Sequence, residues 1–122
     1  MVLQNYEITK SQYVFASSIS IGRNFDQNRT QGNVIFRKGV LYEVEANDNV
    51  YLGDGLIIEP DAKLKITTPK TVYITGGSIS NGASLDIEAG NIVIEKNYSV
   101  EKGGIVTLDK YKGNVDYRIV KH

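Results

Sequence analysis

The sequence has no cysteine, a single histidine at its last position, two prolines, and no apolar run of the roughly 18 residues that a membrane-spanning helix requires. Each absence removes a class of chemistry. Without cysteine there is no disulfide framework, no thiolate zinc site and no thiol nucleophile. His122 alone gives no support to metal-ligating histidine clusters or to histidine-based catalysis. This counts against the hexapeptide-repeat acyltransferases, which use a histidine base and whose shorter repeat is also missing here. Charge of one sign is absent too, since 14 Lys and Arg balance 14 Asp and Glu. A neutral balance leaves no general footprint for nucleic acid or an anionic membrane, and little repulsion against self-association. The expectation is therefore no nucleic-acid partner, no membrane insertion, no cofactor and no metal.

What is present is alternation. No segment carries a helical period, whereas Ile19-Ser-Ile21, Val50-Tyr-Leu52, Leu64-Lys-Ile66, Val72-Tyr-Ile74, Leu85-Asp-Ile87 and Ile92-Val-Ile94 each read apolar, outward, apolar. The 122 residues are expected to form one all-β domain, since Gly, Asn, Asp and Lys fill gaps too short for helices.

The strands recur. Phe36, Ile58, Ile79 and Val100 are separated by 22, 21 and 21 residues. Tyr42, Leu64, Leu85 and Val106 keep the same spacings, as do Val44, Ile66, Ile87 and Leu108. A further register, Val50/Leu52, Val72/Ile74 and Ile92/Ile94, repeats at 22 and then 20. A short strand unit cannot bury its own apolar face, so repetition at this period predicts a stack with a shared core. The predicted fold is a single-stranded parallel β-helix, or β-solenoid, of either hand. Its triangular coils hold about 21 residues each, four to five in number, spaced by roughly 4.8 Å.

Two turn columns accompany the strands. Asn33, Gly55, Gly76 and Asn97 stand three residues before the Phe36 column, and Gly39, Asp61, Gly82 and Gly103 stand three residues after it. Gly and Asn enter the left-handed backbone region at least cost, so the first column is expected to bend each coil through one shared dihedral. The ends depart from the period. Ile19-Ser-Ile21-Gly22 matches Val50-Tyr-Leu52-Gly53 and opens an earlier coil, followed by an insertion over 22–33. Residues 1–15, with Tyr6, Ile8, Tyr13 and Phe15, are expected to cap the N-terminal edge against aggregation. Residues 33–109 form the repeat core, and 110–122 a C-terminal cap in which Val115-Asp-Tyr117 starts an incomplete coil.

Aligned in this way, "ANDNVYLGDGLIIEPDAKLKI" (46–66) and "AGNIVIEKNYSVEKGGIVTL" (89–108) resemble the coathanger-stack repeat of surface and secreted proteins of Bacteroidota. The resemblance covers about residues 33–109 and implies an extracellular, structural β-helical module with no catalytic residues to carry over. The N-terminus "MVLQNYEITK" does not read as a signal peptide, lacking a basic segment followed by an apolar one. The expected location is therefore the cell surface or exterior after removal of a signal, or the cytoplasm for a filament-forming protein.

Candidate sites are few. Tyr51 and Tyr73 fall on one outward column and should stack about 5 Å apart, either as plain cross-strand pairing or as an aromatic row for sugar or protein. The 22–33 insertion places Arg23, Phe25, Asp26 and Arg29 on an otherwise regular scaffold, where function tends to gather, though it reads equally as a flap over the first coil. Asp48, Asp54 and Asp61 lie near Gly turns, as calcium ligands do. The positions equivalent to Asp54 are Thr75 and Lys96, however, so the repeated Asp of calcium-binding solenoids is missing. Glu43, Glu45, Glu59 and Glu101 point outward on a flat face rather than into a glycosidase cleft. Asn28-Arg-Thr30 and Asn97-Tyr-Ser99 match the glycosylation sequon, a motif common by chance. The expected function is a non-enzymatic scaffold. Its alternatives are a carbohydrate- or protein-binding module using Tyr51/Tyr73 or the insertion, and a bactofilin-like self-assembling filament.

Overall fold

The computed structural model describes residues 2–3, 6–22, 33–95 and 99–111, and among them every regular element is a strand. The chain winds as a coil, meeting three faces in the same order each time. The first turn is β1 (Val2–Leu3), β2 (Tyr6–Ile8) and β3 (Gln12–Ala16). The second is β4 (Ile19–Ile21), β5 (Val34–Phe36) and β6 (Leu41–Ala46). The third is β7 (Val50–Leu52), β8 (Leu56–Ile58) and the first half of β9 (Lys63–Ile74). The bent strand β9 then runs on into the next turn, through β10 (Ser78–Ile79) to β11 (Ser84–Ile94). The second half of β11 leads to β12 (Ser99–Val100) and β13 (Ile105–Lys110).

Every pairing is parallel and links one turn to the next. The short face is a five-stranded sheet, β2-β5-β8-β10-β12. The broad face stacks β3, β6, the first half of β9, the first half of β11, and β13. The leading face stacks β1, β4, β7 and the second halves of β9 and β11. The protein is a parallel β-solenoid, as the period predicted.

The expected columns are the observed registers. Phe36 pairs with Ile58, Ile58 with Ile79, and Ile79 with Val100. Tyr42, Leu64, Leu85 and Val106 align, as do Val44, Ile66, Ile87 and Leu108. Alternation sends these side chains inward, and the members within the middle turns are buried in one continuous core. Phe36 meets Tyr42 edge to face, with ring centroids 5.2 Å apart, closing the corner between short and broad faces. Each such aliphatic side chain, taken fully from water, contributes about 1.5–3 kcal/mol before chain entropy is counted.

Two expectations about the turns and ends are corrected. The shared left-handed residue is not in the Asn33/Gly55/Gly76 column, where only Gly76 has positive φ (149°). It is the other column: Gly39 (79°), Asp61 (65°), Gly82 (82°) and Gly103 (90°). Each is the third residue of a four-residue turn closed by the same backbone bond, Val40 N to Arg37 O, Ala62 N to Glu59 O, Ala83 N to Ser80 O and Gly104 N to Glu101 O. Positive φ at that position is the signature of a type II turn, and Pro60 occupies the preceding position that proline favours. At Gly76 crowding adds to the backbone constraint: a Cβ there would lie 2.8 Å from Asp54 Cα in the turn below.

The second correction concerns residues 1–15, expected as a cap. Their described part is itself a turn of the stack. Ile8 continues the Phe36 column and Val14 the Val44 column, while Tyr13 and Phe15 point outward and are exposed. The N-terminal edge is thus a strand of the same sheet rather than a separate cover.

Candidate functional site

Among the described residues, the leading face carries an outward aromatic row. Tyr51 pairs with Tyr73 in register because Val50 and Leu52 on one turn and Val72 and Ile74 on the next are pinned in the core. Their rings stack with centroids 5.1 Å apart and planes 8° from parallel. The row continues to Ser20 on one side and Val93 on the other. A ladder of this kind turns ring faces toward one another along the stack, so ring edges and hydroxyls, rather than π-faces, are presented outward. A sugar ring packs best on a π-face, and here each tyrosine spends one on its neighbour.

The corner between short and broad faces carries a charged clamp. Arg37 Nη2 lies 2.9 Å from Glu7 Oε1, and Arg37 Nη1 lies 2.8 Å from Glu59 Oε2, so one guanidinium ties three successive turns. The Lys38 backbone N–H also donates to Glu59 Oε1 at 3.2 Å. Hydrogen bonds to Glu59 first, and then to Glu7, raise the Arg37 pKa above its ordinary value. On the neighbouring turns Glu101 Oε1 accepts from the Asn81 N–H at 2.9 Å. Glu59 and Glu101, entertained as catalytic carboxylates, serve here as partners of the corner.

On the broad face the outward rows are mixed in charge. Glu43, Lys65 and Asp86 succeed one another in register, and Lys63 Nζ lies 3.4 Å from Asp86 Oδ2. A shallow depression of about 130 Å³ lies among Lys65, Asp86, Glu88 and Asp109. Glu45 accepts a hydrogen bond from the Tyr13 hydroxyl, and that bond, with the negative charge behind it, raises the Tyr13 pKa. Glu43 and Glu45 sit two residues apart on one strand, both half-buried on its outward side.

The three aspartates considered for calcium are separated by the architecture. Asp48 is at the corner between broad and leading faces, Asp54 at the corner between leading and short, and Asp61 at the corner between short and broad. Asp48 Oδ1 accepts from the Asn49 N–H at 2.8 Å. Among the described residues no three His, Cys, Asp or Glu gather as a metal site. Arg23, Phe25, Asp26 and Arg29 lie outside the described residues, as do Asn28, Lys96, Asn97, Val115, Tyr117 and His122.

Two features escaped the sequence reading. Thr68 occupies an inward position and is fully buried; its hydroxyl donates to Asp48 O at 2.7 Å and accepts from the Lys70 N–H at 3.1 Å, so its burial leaves nothing unpaired. The Arg37 clamp was also missed, although Arg37 and Glu59 directly follow the paired Phe36 and Ile58; Glu7, paired with Ile35, lies two positions off that column. Opposite charges at one column are the signal that would have found its Arg37–Glu59 half.

No family model matches the chain, and neither the curated proteins nor the solved structures give a match.

Proposed function

We propose that this protein is a non-enzymatic, rigid β-helical scaffold that spaces or presents other parts of a surface or secreted assembly. The observation that carries this reading is the continuity of the inward columns. From Val34 to Ala89 they run through successive turns with aliphatic side chains almost wholly buried. On the described outer surface the Arg37 clamp and the Tyr51–Tyr73 ladder both join one turn to the next. The likeness of 46–66 and 89–108 to the coathanger-stack repeat supports a surface or secreted setting. The carbohydrate-binding alternative gains less support, because the tyrosine rings face one another.

Native-state hydrogen exchange tests the rigidity on which this reading depends. Amides of β8, the first half of β9, β10 and the first half of β11 should exchange only through global unfolding, with one shared free energy. Exchange of single turns within that span by independent low-energy openings would sink the scaffold reading.

A further inference from the structure

Asn81-Gly82 is the one Asn-Gly step in the sequence. Asparagine before glycine is the pair most open to self-attack, because glycine carries no Cβ to shield its own amide nitrogen from the neighbouring carboxamide. Both residues are exposed at the corner between short and broad faces, in the four-residue turn that Ala83 N closes on Ser80 O.

The folded corner holds that attack off. In a type II turn the second residue has ψ near about +120°, which swings the Gly82 nitrogen away from the Asn81 side chain. The Gly82 N–H is also committed, donating to Gly103 O at 3.1 Å. The Asn81 N–H donates to Glu101 Oε1 at 2.9 Å, and its carboxamide lies over Gly103, where a Cβ would collide with Asn81 Oδ1. Glu101 and Gly103 both belong to the corner between β12 and β13. Among the described residues this turn is the least covered: Val100, Ile105 and Leu108 are 40%, 58% and 38% exposed, whereas Ile79 and Ile87, paired beneath Val100 and Leu108, are buried. The guard over Asn81 therefore sits on the part of the stack that opens most easily.

We propose that Asn81 is a self-modification site, guarded by the β12–β13 turn and converted when that turn lifts away. Once Glu101 and Gly103 withdraw, the Gly82 nitrogen attacks Asn81 Cγ. The new N–Cγ bond forms, the Cγ–Nδ2 bond breaks, and the Gly82 amide proton leaves with Nδ2 as ammonia. Water then opens the resulting succinimide at one carbonyl or the other, giving aspartate or isoaspartate, with no oxidant or reductant involved. Isoaspartate adds one carbon to the main chain inside a turn whose closure and register leave no room for it. The β12–β13 turn then has no matching corner to return to, so a transient opening becomes a lasting one. The inference stands apart from the scaffold reading, since it concerns one corner and not what the stack carries.

Peptide mapping by mass spectrometry, on the full chain held at mildly alkaline pH, reads the conversion of amide to acid at each asparagine. In urea Asn81 should convert ahead of every other asparagine, and in the folded parent about tenfold more slowly or less. Leu108→Asp, on the broad face away from this corner, should loosen the guarding turn and speed conversion about fivefold. Glu101→Ala, which removes an acceptor at an exposed position, should speed it as well and covers the case in which Leu108→Asp fails to fold. In the isoaspartate fraction, amides of β13 should exchange faster while those of β8 keep their rates. Another asparagine leading in urea would overturn the site. A folded parent as fast as the unfolded chain, or folded variants no faster than the parent, would overturn the guard. Unchanged β13 exchange in the isoaspartate fraction would overturn the lasting release.

Discussion

Ile79 and Val100 occupy adjacent positions of one column, paired directly in register, yet one is fully buried and the other 40% exposed. Ile87 and Leu108, at 2% and 38%, repeat the contrast on the broad face. The residues are similarly apolar and similarly placed within their turns. What differs is the number of described neighbouring turns: Ile79 has one on each side, Val100 only one. Burial in this protein is therefore a property of the interface between turns rather than of a side chain within its own turn. Stability should be a sum of nearest-neighbour terms, largest in the middle and smallest at the ends.

The sharpest way to break that comparison is to place the same charge at both positions. Ile79→Asp puts an unpaired carboxylate between two turns and should cost about 4–5 kcal/mol or more, abolishing cooperative folding, whereas Val100→Asp should cost about 1 kcal/mol. Urea melts of the two variants decide the matter, and equal losses would mean that the last turn is as enclosed as the middle.

Glycines give a smaller contrast of the same kind. A Cβ on Gly90 would sit 2.1 Å from Pro69 O on the neighbouring turn, at the point where the β9–β11 register shifts. A Cβ on Gly39 would meet nothing within 4 Å, but its φ is 79°. Gly90→Ala should therefore lose about 3 kcal/mol through displacement of the turn below, and Gly39→Ala about 1 kcal/mol through backbone strain alone. Thermal melts that reverse this order would show that local dihedrals, not inter-turn packing, govern the corners.

The smallest effect concerns the outer surface. A double-mutant cycle over Tyr51→Ala and Tyr73→Ala should return a coupling of about 0.5–1.5 kcal/mol, as for stacked aromatic pairs elsewhere. A coupling near zero would release both rings from a structural duty and strengthen the case for a ligand on that face.

Much of this was legible in the sequence because alternation and period are linear signals. The inward columns from Phe36, Tyr42 and Val44 onward needed only counting. Ile8 was misread and Val14 passed over because two disturbances hid the period there: the 22–33 insertion sets Ile8 28 positions before its partner Phe36, and the first corner is two residues short. The left-handed corner was misplaced because Gly is frequent in both turn columns, for different reasons. One column needs positive φ throughout, while in the other Gly76 also makes room for the adjacent turn. Pro60 held the clue, since proline directly before Asp61 suits the second position of a type II turn, whose third residue takes positive φ. Buried Thr68 was not legible at all. Its partner is a backbone carbonyl some 20 residues away, and no side-chain pattern announces a carbonyl.

The uniform direction of the strands has a mechanical meaning. Each turn is held to the next by ladders and apolar contacts, and to little else farther along the chain. Tension applied between the two ends would load those ladders one after another, like thread drawn from a spool. Each turn released would lengthen the tether by about 70 Å, at roughly 3.4 Å for each of its residues. A protein built this way gives ground in measured steps, and can rewind from whatever part of the spool remains.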